Sequence, residues 1–129
     1  MKTILLIEDT PDILENLTEY LEMEGYKILM SDNGKKGIEL AREFIPDIIV
    51  CDVLMPEMDG HEVLNLLVNT AKTSEIPFIF STSLSEKMDK ATAIELGADG
   101  YITKPFEPEA LLVMVKSILE TGGKRRRSV

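Results

Sequence analysis

At 129 residues, 44% of them hydrophobic and 29% charged, the chain is long enough for one domain with a real core and too apolar to stay disordered. No apolar run approaches the roughly 18–20 residues that span a bilayer. The opening Met1–Asp9 stretch is too short in apolar residues for a secretion signal, and the lone Cys51 excludes an internal disulfide. A cytoplasmic location is therefore expected, with no membrane partner.

Net charge is −9, but Lys124–Arg127 mask a stronger imbalance: the remainder carries 10 basic against 23 acidic residues, or −13. A body that acidic repels phosphate backbones, which argues against nucleic-acid binding by the folded part. The basic run follows Gly122-Gly123. The expected organisation is a domain over 1–121 and a flexible tail or linker stub over 122–129.

Strand-like and helix-like patterns then alternate five times. Ile4-Leu5-Leu6-Ile7 is an unbroken apolar run ending in Glu8 and Asp9. Thr10-Pro11 reads as a helix start, with Thr at the cap and Pro in the first turn. Ile13, Leu14, Leu17, Tyr20 and Leu21 mark its apolar face and Gly25 its end. Tyr26 to Met30 predicts a strand, with Lys27 suggesting a sheet edge.

Asn33-Gly34 turns into a second helix whose Ile38, Ala41, Phe44 and Ile45 are expected to face inward before Pro46. Ile48-Ile49-Val50-Cys51 is a third strand, buried on both faces and stopped by Asp52. Val63, Leu64 and Leu67 predict a third helix from about 60 to 70. Phe78-Ile79-Phe80 predicts a fourth strand running into Ser81-Thr82-Ser83. Ser85 is expected to cap a fourth helix bearing Met88, Ala91 and Ile94, closed by Gly97. Asp99 to Thr103 predicts the last strand, and Pro108 opens a final helix ending near Gly122.

Five such units with right-handed crossovers give a flavodoxin-like (βα)5 doubly wound parallel sheet of expected order 2-1-3-4-5. Every strand then ends on the same edge. That edge collects Glu8 and Asp9, Asp52, Thr82 and Lys104. Three carboxylates in a partly desolvated crevice repel one another, and a hard divalent cation such as Mg²⁺ relieves this. A carboxylate can attack phosphorus, a lysine can offset charge on the phosphoryl oxygens, and a hydroxyl can sense the product. Asp52, Lys104 and Thr82 fit those three roles.

These residues resemble the receiver domain of two-component response regulators along nearly the whole chain. The resemblance rests on Glu8-Asp9, Asp52 with Met55-Pro56 and Met58-Asp59-Gly60, Pro77 through Thr82, Gly97-Ala98-Asp99 and Lys104-Pro105-Phe106. It implies that Asp52 accepts a phosphoryl group from a histidine kinase or histidine phosphotransfer protein. It further implies that Asp9 and Asp52 ligate Mg²⁺ (or Mn²⁺) directly, Glu8 through water, and Leu54 by its backbone carbonyl. Thr82 and Tyr101 become the switch pair, and the Lys104-Pro105 bond is expected to be cis. The output is a surface around the fourth helix, fifth strand and fifth helix, offered to an effector protein or domain, with a homodimer left open. Catalysis of this kind acts only on the domain itself, so the chain is not expected to be an enzyme.

Departures from the usual pattern are small. Glu8 stands where Asp is more frequent and Ser83 where Ala is. Leu54 and Leu84 are apolar where fast-hydrolysing relatives carry polar groups, which predicts a long-lived phosphoaspartate. His61 has no ligand-spaced partner and is expected to be exposed and incidental; Cys51 reads as core. The rival functions fit less well. A flavin site needs a phosphate cradle where the chain has Glu8-Asp9-Thr10-Pro11-Asp12. An aspartyl-phosphate phosphatase needs an acid where Leu54 stands. A degenerate receiver used only for docking would not need the full acceptor set.

Overall fold

The protein is described from a computed structural model covering residues 1–83 and 90–122. Its elements are β1 (Thr3–Ile7), α1 (Pro11–Met23), β2 (Lys27–Ser31), α2 (Gly34–Phe44), β3 (Ile48–Asp52), α3 (Gly60–Val68), β4 (Phe78–Ser83), α4 (Lys90–Glu95), β5 (Gly100–Lys104) and α5 (Pro108–Thr121). The five strands form one parallel sheet in the order β2-β1-β3-β4-β5, as expected from the sequence. Leu84, Ser85, Met88, the side chain of Ala91 and the basic run beyond Gly122 lie outside the described residues.

Alternation along the strands divides the core between the two faces. Leu5, Ile7, Ile49, Cys51, Phe78 and Phe80 pack against Ile38 and Ala41 of α2, Val63, Leu64 and Leu67 of α3 and Ala93 of α4. Ile4, Leu6, Ile48, Val50, Ile79 and Ile102 pack against Leu17 and Leu21 of α1 and Leu111, Leu112, Val115 and Ile118 of α5. Full burial of each Val, Leu, Ile or Phe side chain among these contributes about 1.5–3 kcal/mol of transfer free energy. Both faces of β3 are covered, which is why its apolar run has no polar alternation.

Helix ends follow local chemistry. Gly25 and Gly97 take positive φ (97° and 101°) and close α1 and α4. At each, paired N–H groups donate back into the last turn: Tyr26 to Leu21 O and Gly25 to Glu22 O, Ala98 to Ala93 O and Gly97 to Ile94 O. Asp59 and Glu62 cap the start of α3 reciprocally, at 2.9 and 3.2 Å. Asp99 ties the start of β5 to β4, its Oδ2 accepting from Phe78 N at 2.8 Å while its own N–H donates to Phe78 O at 2.8 Å.

Three expectations need correction. Phe44 and Ile45 are 49% and 41% exposed rather than inward, because Ile45 adopts a left-handed conformation (φ 43°) that turns the chain off the core before Pro46. Thr10 occupies the cap position of α1, but its side chain makes no capping bond. His61 is half-buried, its ring edge-on to Phe80 at 5.4 Å, and its Nε2 has no hydrogen-bond partner among the described residues.

Candidate functional site

Parallel strands deliver their carboxyl ends to one edge, and the register brings three of the sequence-predicted charged residues into direct contact. Glu8 continues β1, its N–H donating to Ser31 O at 3.0 Å, and is 4% exposed. Asp52 ends β3 and is 3% exposed. Lys104 ends β5 and reaches past β4, placing Nζ 2.7 Å from Glu8 Oε1 and 3.0 Å from Asp52 Oδ1. The Lys104-Pro105 peptide bond is cis. Asp9, half-buried, completes a cluster in which one carboxylate oxygen from each of Glu8, Asp9 and Asp52 lies within 4.8 Å of the others.

The loop after β3 is held close to this cluster by Gly60. Its N–H donates to Val53 O at 2.7 Å, and a Cβ there would lie 2.4 Å from the backbone oxygen of Asp52. Because that obstacle is main chain, any side chain at position 60 forces the loop away. The Asp59-Gly60 pair therefore joins a helix cap to a close backbone approach.

Electrostatics follow from burial. Desolvation, the charge of Glu8 and the neighbouring Asp9 carboxyl push Asp52 up to about 8, with Lys104 pulling the other way. Burial alone would lower the Lys104 ammonium, but its bonds to Glu8 and Asp52 outweigh that and hold it above its ordinary value. Burial, followed by the charges of Asp52, Glu8 and Asp59, raises the Cys51 thiol, so it stays neutral in the core.

One ammonium faces three carboxyl groups, all hard oxygen donors, and this donor set fits a divalent cation of the Mg²⁺ type. The fit differs in one respect from the expected ligand scheme. Both oxygens of Glu8 are engaged, Oε1 by Lys104 and Oε2 by the N–H of Thr10 at 3.0 Å. Asp9 is free of such bonds to Lys104 and lines a crevice of about 590 Å³ between the β2–α2 and β3–α3 loops. On the other side of Lys104 lies a more apolar groove of about 560 Å³, lined by Ile13, Leu17, Pro105 and Phe106 among others.

The remaining expected residues lie farther from the cluster's bonds. Thr82 is buried one strand over, and its hydroxyl donates to Ser83 O at 3.3 Å rather than to Asp52. Tyr101 is half-buried against the core on the α3–α4 side and lines a groove of about 480 Å³ with Val113 and Met114 of α5. The Leu54 side chain is 66% exposed beside the site. Sequence reasoning missed Ser81, whose buried hydroxyl has no partner among the described residues.

An open parallel sheet with this strand order, carrying a carboxylate cluster and one lysine at its carboxyl edge, is a CheY-like protein of the flavodoxin type. A sequence model of the response regulator receiver domain matches residues 4–116, and the chain belongs to that family. It is 36% identical over 119 residues to the protein PilH of Pseudomonas aeruginosa, covering 92% of this chain and 98% of PilH. It is 38% identical to the DNA-binding dual master transcriptional regulator RpaA of Synechocystis, covering 92% of this chain but 49% of RpaA. Among solved structures, a response regulator of Chloroflexus aurantiacus superimposes with a TM-score of 0.85 at 30% identity, over 92% of this chain and 98% of that one. The receiver domain of a histidine kinase of Syntrophus aciditrophicus does so with 0.84 at 38% identity, over 100% and 97%. No helix among the described residues is long and apolar enough to cross a membrane.

Proposed function

We propose that this receiver domain takes a phosphoryl group onto Asp52 from a phosphohistidine of a histidine kinase or phosphotransfer protein, in a Mg²⁺-dependent reaction. The observation that carries the reading is Lys104 Nζ seated 3.0 Å from Asp52 Oδ1, inside a cluster of three carboxylates. Asp9, Asp52 and the Leu54 carbonyl would hold the cation directly and Glu8, whose oxygens are taken by Lys104 and the Thr10 N–H, only through water; the cation supplies charge neutralisation on the phosphoryl oxygens.

The protein's own groups do the rest. An oxygen of Asp52 attacks phosphorus in line, the donor's bond to phosphorus breaks with its electron pair, and an acyl phosphate forms. Lys104 holds the carboxylate before attack and offsets phosphoryl charge after it. Thr82 then has a phosphoryl oxygen to bond in place of Ser83 O, and Tyr101 follows it inward. This shifts the population of the surface formed by α4, β5 and α5. The domain acts on itself, turning over no separate substrate, and the cytoplasm supplies such donors.

Incubation with an acyl phosphate and Mg²⁺ tests the reading by intact mass. Wild type gains about 80 Da, one phosphoryl group, and Asp52→Asn gains nothing. A gain in both chains removes Asp52 from its role. The apolar side chain of Leu54 beside the site also predicts slow loss of the group, since no polar side chain there places the attacking water. Leu54→Asn is expected to shorten the lifetime about 3–10-fold, the scale of one added hydrogen bond. Decay followed by mass checks it, and an unchanged lifetime refutes the explanation.

A further inference from the structure

Ser81 ends up beside Asp52 by register alone. Val50 pairs with Ile79 and both face α1 and α5; two residues on, Asp52 pairs with Ser81 on the same face. Ile102, which pairs with Ser81 from the other side, faces that way too. Ser81 is 4% exposed, and its Oγ has no hydrogen-bond partner among the described residues. An idle buried hydroxyl costs stability, and an apolar residue would remove that cost in a core strand.

The same face carries Lys104, whose stem crosses β4 to bring Nζ to Asp52 Oδ1. In the unmodified domain Lys104 thus holds one oxygen of the carboxylate, Oδ1. Phosphorylation adds three acceptor oxygens beyond the strand end and draws the ammonium toward them. The register sets Asp52 beside Ser81, whose hydroxyl has no hydrogen-bond partner among the described residues and is the nearest candidate donor on the neighbouring strand for the unesterified oxygen.

We infer that Ser81 is a further catalytic residue of this site, donating a hydrogen bond to the unesterified oxygen of phospho-Asp52. The assignment rests on the phosphoacceptor reading of Asp52. In hydrolysis the oxygen of water bonds to phosphorus and the bond from Asp52 to phosphorus breaks. Its electron pair stays on Asp52 as carboxylate, and the protons of water leave with the phosphate. Ser81 keeps its proton. Charge grows on the oxygen it bonds as the carboxylate forms, so the bond strengthens toward the transition state and hastens loss of the phosphoryl group.

The test loads the full chain with acetyl phosphate and Mg²⁺, removes the donor and follows decay by intact mass. Ser81→Ala is expected to lengthen the lifetime about 3–10-fold, as one hydrogen bond would. Ser81→Thr, which keeps the hydroxyl, is expected to decay near the wild-type rate. Unmodified Ser81→Ala is expected to melt no lower than wild type, since it loses no existing bond. An unchanged lifetime in Ser81→Ala, or a threonine variant as slow as the alanine one, overturns the assignment. So does a Ser81→Ala chain that is less stable or unfolded, because the hydroxyl would then already be bonded. Wild type that takes up no phosphoryl group overturns the reading of Asp52 itself, and Ser81 with it.

Discussion

Replacing Lys104 with methionine is expected to slow phosphoryl capture by about 100-fold, the usual loss when one preorganised charge is taken from a transition state. Methionine keeps the length and the apolar contact with the groove beside Pro105 and Phe106 but removes the only cation that bonds both Glu8 and Asp52 among the described residues. Two buried carboxylates are then left to repel each other and any incoming phosphate. Lys104→Arg is expected to recover only part of the rate, because a planar guanidinium cannot sit as a point between two carboxylates from different strands. Initial rates of adduct formation with an acyl phosphate measure both effects. A methionine variant within about three-fold of wild type would mean that Lys104 is a structural ion pair and nothing more.

Asp52→Asn is expected to make the metal-free domain more stable while abolishing its chemistry. Burial and the charges around it push Asp52 up to about 8, from an ordinary value near 3.8. Between those two values the folded state holds a proton that the unfolded chain has lost. Wild-type stability therefore falls as pH rises through that window and levels off above about 8. Asparagine carries no such proton, so its advantage grows from pH 4 to pH 8 and reaches on the order of a few kcal/mol. Thermal unfolding in chelator at several pH values measures the gap, and added Mg²⁺ is expected to narrow it by favouring the ionised wild type. An advantage that shrinks as pH rises would contradict the electrostatic picture.

Much of this was legible in the sequence because buried parallel strands leave little freedom. Ile4–Ile7 and Ile48–Cys51 could hardly be anything else, and acids at the ends of both runs had to meet once the sheet was parallel. The edge position of β2 was readable from the charge of Lys27 within the strand, although β2 lies one residue later than expected, over Lys27–Ser31. Periodicity misled at Phe44 and Ile45, where a left-handed turn overrides the helical pattern.

The finer chemistry was hidden because it depends on side-chain partners. The sequence puts Asp59 just before the third helix and Glu62 in its first turn, but does not reveal that the two form a reciprocal cap. Asp99 read as the first strand residue and is a clamp between β4 and β5. Nothing in the sequence says that Glu8 divides its oxygens between Lys104 and Thr10 N. Ser81 sat inside a Ser-Thr-Ser run that reads as a strand ending in polar residues, and only the register with Asp52 sets it apart.

The measurement that bears most directly on the account locates the acyl phosphate. Borohydride reduction of the phosphorylated chain converts a phosphoaspartate into homoserine, and peptide sequencing then reads the position. Homoserine at position 52 alone is the predicted result. Homoserine at Asp9, or an unmodified Asp52 in a chain that has gained a phosphoryl group, would contradict it.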